Sequence, residues 1–448
     1  MAPLQKESAE PRRLLWKLHS LDHRLASTRY RALLPIQALI PHGYRSSIGR
    51  CLSIDKLQRA DVVVFVRAFS REDLAFAQTA TNLGVPVVLD ICDNFSEYTR
   101  AQAENIQVMA RYAAAITTSG PALATTLRGL IQAPVPIMVV SDGIESESMA
   151  RIGRRIIRLA YLKEERLPLL MSASFWRRVF SKLFNKAVTQ GTQWQARMRA
   201  AAARGSITHG GKADSDIETF KSVPGESKDS FRTLIWFGRA GGAVGRYGLS
   251  DIVDVASYLQ QVAQRIRFRL IVVSNDRDGY EHLVKPLPIE TQYLEWDNQS
   301  IRSHIRASDV AIIPNSRDHI AICKSANRAA LALSLGVPVV ATRTPAMEVF
   351  EGCVCFDNWV DGLYRYLTEP AVVQAHLVRA ESVIKREFLP GCIARQWQQV
   401  LKHIKRQRCG QDNLPLQPLT MRTSAEDGSQ VRLGTAPNVV DKAPVRSN

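Results

Sequence analysis

The chain has 448 residues, 46% hydrophobic and 23% charged, with a formal net charge of +17. That length suits two domains with sizeable cores, and the composition is globular rather than disordered or collagen-like. No apolar run reaches the length of a membrane span, and the polar N-terminus lacks the form of a signal peptide.

Seven cysteines without metal-type spacing read as reduced thiols, which implies a cytoplasmic protein. Short β-branched runs alternate with helix-length segments through the first third. Strands are expected over 13–18, 62–66, 85–91, 114–118 and 137–140, and helices over 72–83, 97–112 and 121–130. This alternation specifies a parallel, doubly wound sheet, whose ligands bind beyond the strand C-termini. Residues 20–31 read as a loop entering a helix that runs to Leu39. Polar groups gather at two strand ends, Asp90, Asp93 and Asn94 in LDICDN and Asp142 in SDGIE. Asp93 is the leading catalytic candidate, because a carboxylate in a cleft can take or orient the proton of an attacking hydroxyl. Asn94 beside it is a candidate acceptor contact. The alternative is that both merely cap the following helix.

From Arg151 the pattern stops. Residues 151–204 hold thirteen Lys/Arg against Glu164 and Glu165, a local block that calls for an anionic partner. Phe175, Trp176, Val179, Phe180, Leu183 and Phe184 recur at helical spacing, with Arg177, Arg178, Lys182 and Lys186 opposite. A helix over 174–187 either lies in an anionic membrane interface or packs on its own domain with its arginines in water. Residues 203–230 read as a flexible linker. Nucleic acid is not expected as a partner, since no interleaved stacking platform or known motif is present.

A second alternating stretch starts near Leu234. Its first strand, LIWFG, runs into GRAGGAVGRYG (238–248), which opens a helix over 249–264. Gly238, Gly241 and Gly242 let backbone N–H groups approach a diphosphate, and Arg239 and Arg246 carry charge to neutralise it. A glycine-rich turn without ligand is the alternative, and the spacing is not the dinucleotide fingerprint. Strands follow over 268–274 and 291–296. Asp276 and Asp278 form an Asp-x-Asp pair whose place in a Rossmann-type loop argues against a metal site. The stretch 309–342 gives a strand (310–313), a polar loop, a helix (326–335) capped by Ser325, and a strand (337–341) after Gly336. Lys324, Asn327 and Arg328 cluster at that helix start, where free N–H groups and the dipole attract anions. Cations there oppose the dipole, so they suit binding better than stability. Helices over 359–367 and 371–388 follow, the second resuming after Pro390 and Gly391 to Gln407, and residues from Cys409 read as disordered.

The run SLGVPVVAT, preceded by a strand ending at Pro314 and followed by Pro345 and Glu348, resembles the donor-binding end of group 1 (family 4-like) GT-B glycosyltransferases. In that family two glutamates stand eight positions apart here. This chain has Cys323 and Leu331 at those positions, with KSANR (324–328) in their place, and so resembles a divergent variant. The resemblance implies an α/β protein of two Rossmann-like doubly wound domains facing a cleft, with a basic helical insertion between them. It divides the chain into an acceptor domain over 12–150, an insertion and linker over 151–230, and a donor-binding domain over 231–370. Crossing helices over 371–408 and a tail over 409–448 complete it. It implies that Arg239 and Arg246 grip the donor pyrophosphate and that Glu295 and Trp296 contact the nucleobase, with core packing the alternative for Trp296. STRYR (27–31) would face the cleft, where Arg29 and Arg31 either hold an acceptor's phosphate or carboxylate or are surface charges at a helix start.

The expected function is transfer of a sugar from a nucleoside-diphosphate sugar to an acceptor, a lipid-linked or cell-surface polysaccharide intermediate. Asp93, Arg239 and Lys324 are the expected catalytic groups. The nucleotide sugar is a co-substrate, no further cofactor or metal is expected, and the enzyme is expected at the cytoplasmic side, peripheral on the membrane. Two rivals remain, a nucleotide-sugar epimerase of the same shape and a non-catalytic nucleotide-binding protein, the latter motivated by the missing glutamates.

Overall fold

The computed structural model describes residues 13–166, 231–238 and 248–408. Two six-stranded sheets, each parallel throughout, organise it. The first contains β1 (Arg13–Leu18), β2 (Arg45–Gly49), β3 (Val62–Val66), β4 (Val87–Ile91), β5 (Ala113–Thr118) and β6 (Ile137–Val139), in the order β2-β1-β3-β4-β5-β6. The second contains β7 (Arg232–Phe237), β8 (Phe268–Ser274), β9 (Glu290–Glu295), β10 (Val310–Ile313), β11 (Val339–Ala341) and β12 (Cys355–Phe356), in the order β12-β11-β10-β7-β8-β9.

The central strands β3, β4, β10 and β11 are buried at every residue, which is why they read as unbroken apolar runs rather than alternating ones. Strand order reverses between β1 and β3 in the first sheet and between β7 and β10 in the second. Each reversal sends neighbouring connections to opposite faces and leaves a crevice at the strand C-termini. The helix Arg71–Asn82 is fixed at its start by a capping box between Ser70 and Asp73.

Several elements depart from the sequence reading. Strand β2 is half exposed and carries the polar run RSSIG, so it gave no apolar signal. The helix expected over 249–264 is divided at Val255 into Ser250–Asp254 and Ala256–Ala263. The helix ending at Leu39 starts at Ala26 and widens into a π-turn over Arg29–Leu33, a form frequent at functional sites. The helical pattern does not stop at Arg151, because a helix runs over Glu147–Tyr161. Gly153 lets this helix lie against Leu33, and Ile157 and Ala160 are buried on the same side. The basic helix expected over 174–187, the linker and the tail from Cys409 lie outside the described residues.

Two C-terminal helices join the layers. Pro370–Glu387 buries Leu377, Ala380, Val383 and Ile384 in the core of the second sheet. The following helix, Pro390–Arg408, turns away after Phe388 and places Ile393, Trp397, Val400 and Ile404 in the core of the first sheet. Trp397 meets Trp16 of β1 edge to face, with ring centroids 5.0 Å apart. Trp397→Ala is expected to cost about 3–5 kcal/mol through lost burial and the cavity left behind. A thermal or urea midpoint unchanged from the parent would show that this helix is not part of the core.

Candidate active site

The chemistry of the cleft starts from a buried cation. Arg31, on the π-turn, is 1% exposed. Its Nε and Nη2 donate to the two oxygens of Asp90, at the end of β4, at 3.0 and 2.7 Å. Nη1 donates to Asp142 at 3.1 Å and also to the Val140 carbonyl. The Thr117 hydroxyl adds a 2.6 Å bond to Asp90. Burial disfavours the arginine's charge, but Asp90 and Asp142 outweigh it and raise its pKa. Burial pushes the Asp142 carboxyl up, with Arg31 opposing. Arg31 was expected to hold an acceptor; its donors are instead committed to two carboxylates and a carbonyl, and it holds strand ends together.

A loop of the second sheet completes this arrangement. Asp318 accepts from the backbone N–H of Ile320 and Ala321 at 2.9 and 2.7 Å, starting a short 3-10 turn, Ala321–Cys323. Cys323 is buried within the core of the first sheet. Ser325, expected to cap a helix, instead donates to Asp142 at 2.6 Å. A charged acceptor makes the stronger hydrogen bond, and the helix begins one residue later, at Asn327, with no side-chain cap. Lys324 and Asp93, 231 positions apart in sequence, meet at 2.6 Å. Asn94 donates to the His319 carbonyl at 3.1 Å, so its amide ties the two sides of the cleft rather than capping the next helix or presenting itself to an acceptor.

A cavity of about 350 Å³ lies between the strand ends. Arg24, Arg29, Arg67, Asp93 and Tyr98 line it from the first sheet, and Gly238, Trp296, Asn315, Asn327 and Arg328 from the second. Arg29 is nearly buried and pairs loosely with Glu145 at 3.4 Å. Arg328 donates to Asn315 at 2.9 Å, and its guanidinium carbon lies 5.9 Å from the Trp236 ring centroid. Burial lowers its pKa and nearby Asp251 opposes this. Asp251 is itself held by the backbone N–H groups of Gly248 and Ser316, at 2.8 and 3.0 Å. At Gly238 a Cβ would come 3.3 Å from Trp236 and 3.5 Å from the Arg328 guanidinium, so glycine keeps the crevice open beside Arg328.

Trp296 packs against the core, its alternative reading, and also lines the cavity. Glu295 is exposed, accepts from the Tyr293 hydroxyl at 2.9 Å and is not among the lining residues, so the structure does not bring it to the site. Arg239, Gly241, Gly242 and Arg246 lie outside the described residues. Of the positions where the resembled family carries glutamates, Cys323 is buried and Leu331 faces the cavity. Asp276 accepts from Gly279 N–H at 2.9 Å, so half of the Asp-x-Asp pair is a local cap.

Sequence reasoning missed Arg67, Asn315 and Asp251. Arg67 had a signal: a cation directly after a fully buried parallel strand sits at a strand C-terminus, where such sheets bind ligands. Among the described residues no group of three His, Cys, Asp or Glu side chains is arranged to hold a metal, and no helix is long and apolar enough to cross a membrane.

No known family model matches the chain, and no curated protein matches it. Solved structures do. The structure of Anabaena Alr3699/HepE in complex with UDP superposes with a TM-score of 0.53 at 13% identity, covering 87% of this chain and 99% of that one. The same protein in complex with UDP-glucose gives 0.51 at the same identity and coverage. The fold is GT-B. Two Rossmann-like sheets present their C-terminal strand ends to one cleft, and the likeness extends over nearly the whole of the Anabaena chain.

Replacing Arg31 by Met leaves Asp90 and Asp142 buried without their counter-charge. A loss of about 3–5 kcal/mol is expected in urea unfolding. A loss below about 1 kcal/mol would mean that the two carboxylates are not held ionised by Arg31.

Proposed function

We propose that this protein is a glycosyltransferase that moves a sugar from a nucleoside-diphosphate sugar to an acceptor hydroxyl. One observation carries the reading: two strand-order reversals open onto one cavity, lined by arginines from both sheets and by the Asp93–Lys324 pair that spans it. The donor diphosphate is assigned to the second sheet, between Gly238, Arg328 and the helix start at Asn327, where N–H groups and charge converge. The bound UDP and UDP-glucose of the Anabaena structures make a uridine nucleotide the first donor to test.

In the transfer step the bond from the anomeric carbon to the diphosphate oxygen breaks, and the diphosphate leaves with the electron pair. The acceptor oxygen forms the new bond and gives up its proton. Asp93 is the candidate to orient that hydroxyl or take its proton, and Lys324 is the candidate to neutralise charge on the leaving diphosphate. Their present pairing makes the two roles linked: a diphosphate that draws Lys324 frees Asp93 for the acceptor.

The acceptor is proposed to be a lipid-linked or cell-surface polysaccharide intermediate, reached from an anionic membrane surface. Support comes from the helix Glu147–Tyr161, where Ile152 and Leu159 are 46% and 58% exposed, seven residues apart on one face, with exposed Arg155 between them. A non-catalytic nucleotide-binding role is the second reading, favoured by Leu331 facing the cavity where the resembled family has a carboxylate.

Incubation with a panel of nucleotide sugars and a membrane lipid extract is expected to release nucleoside diphosphate and a heavier acceptor. Binding without turnover selects the second reading, and conversion of the donor alone selects an epimerase. Arg328→Ala is expected to weaken UDP binding by roughly 10- to 100-fold in calorimetry; an unchanged Kd would remove Arg328 from the donor site. In flotation, vesicles rich in anionic lipid are expected to carry the protein up the gradient, and Leu159→Glu to reduce the floated fraction. Equal flotation of parent and variant would sink the membrane assignment of this face.

A further inference from the structure

Arg67 is the unusual residue of the first sheet's crevice. It follows β3 directly and sits where the strand order reverses, beside the end of β1, whose next residue His19 donates its backbone N–H to the Val66 carbonyl. Its φ is +54°, the left-handed region that an arginine has no steric reason to enter and that costs of order 1 kcal/mol or more. The backbone is pinned there by a 3.1 Å hydrogen bond from its N–H to the Asp90 carbonyl.

The side chain is equally fixed. Its guanidinium lies 4.8 Å from the centroid of Phe95, which is 2% exposed and wedged between Phe69 and Tyr98 at 5.3 and 5.4 Å. A guanidinium held over a ring in this way still carries N–H donors that can match two oxygens of a phosphate or carboxylate. The neighbouring arginines of this wall already have carboxylate partners: Arg24 has Asp22, Arg29 has Glu145, and Arg31 has Asp90 and Asp142. Among the described residues Arg67 makes neither an ion pair nor a side-chain hydrogen bond. It lines the same cavity as Asp93, across from the wall assigned to the donor.

We propose that Arg67 reads an anionic group on the acceptor, so that the substrate class is a phosphorylated or carboxylated sugar or lipid rather than a neutral one. Binding that group at Arg67 sets the acceptor against the first sheet, with its hydroxyl toward Asp93. The inference rests on the glycosyltransferase reading and narrows it, since the resembled family implied acceptor contacts only at the preceding helix start.

The test separates the two. UDP binding by calorimetry on the full chain tests the donor site without any acceptor; a parent protein that binds neither UDP nor other nucleoside diphosphates overturns both proposals. Transfer is then measured with matched pairs: sugar phosphates and uronic acids against the same sugars uncharged, and polyprenyl phosphate against polyprenol in vesicles. The anionic member of a pair is expected to be the substrate, and whether the soluble or the vesicle arm reacts identifies its source. Arg67→Gln is expected to raise KM for the anionic acceptor by roughly 10- to 100-fold with the Kd for UDP unchanged. Arg67→Lys should restore part of the loss. Arg67→Gly, which relieves the backbone strain, should lose acceptor affinity without losing thermal stability, and so separates recognition from folding. Equal use of charged and neutral acceptors, or an Arg67→Gln variant with unchanged KM, overturns the inference while leaving the donor assignment standing.

Discussion

The cleft depends on the guanidinium of Arg31. Burying it is costly, and only two carboxylates and a carbonyl at hydrogen-bond distance offset that cost. The same bonds fix the end of β4, the segment after β6 and the π-turn in one register. Through Asp142 the network reaches Ser325 on the opposite wall, and the residue before it, Lys324, meets Asp93. One buried charge thereby sets the positions of two candidate catalytic groups that it does not touch.

Magnitudes separate the two ion pairs of this network. The Arg31 cluster is essentially shut off from water, so its charges cannot be exchanged for a ligand's without breaking the fold. Lys324 and Asp93 have side chains 29% and 25% exposed, and water screens much of their attraction. Water reaches that pair, so the diphosphate of the proposed function can contact Lys324 without breaking the fold. Arg67 is a third case, held at a strained backbone position and against an aromatic ring instead of a carboxylate.

Much of the architecture was legible because parallel strands buried on both faces need continuous apolar runs, as in VVVFV and VAII. Strand β2 was not, since an edge strand can satisfy its backbone with a polar sequence such as RSSIG. At the site, Asp93, Lys324, Asn327 and Arg328 were singled out by position, at strand ends and at a helix start, and all four line the cavity. Arg31 and Asn94 were singled out the same way and turned out to serve structure. A sequence cannot tell a cation with a buried carboxylate partner from one that faces a cleft.

The sequence by itself determined where the buried strands of both sheets fall, and that polar and charged groups collect at strand C-termini. Both follow from local hydrophobic period and from turn and cap residues, which act over a few positions. Only the tertiary structure decided which charges neutralise one another: Arg31 with Asp90 and Asp142, Lys324 with Asp93, and Arg67 with no carboxylate among the described residues. Those pairings join residues from 59 to 231 positions apart, and Coulomb attraction depends on distance in space, which no spacing along the chain encodes.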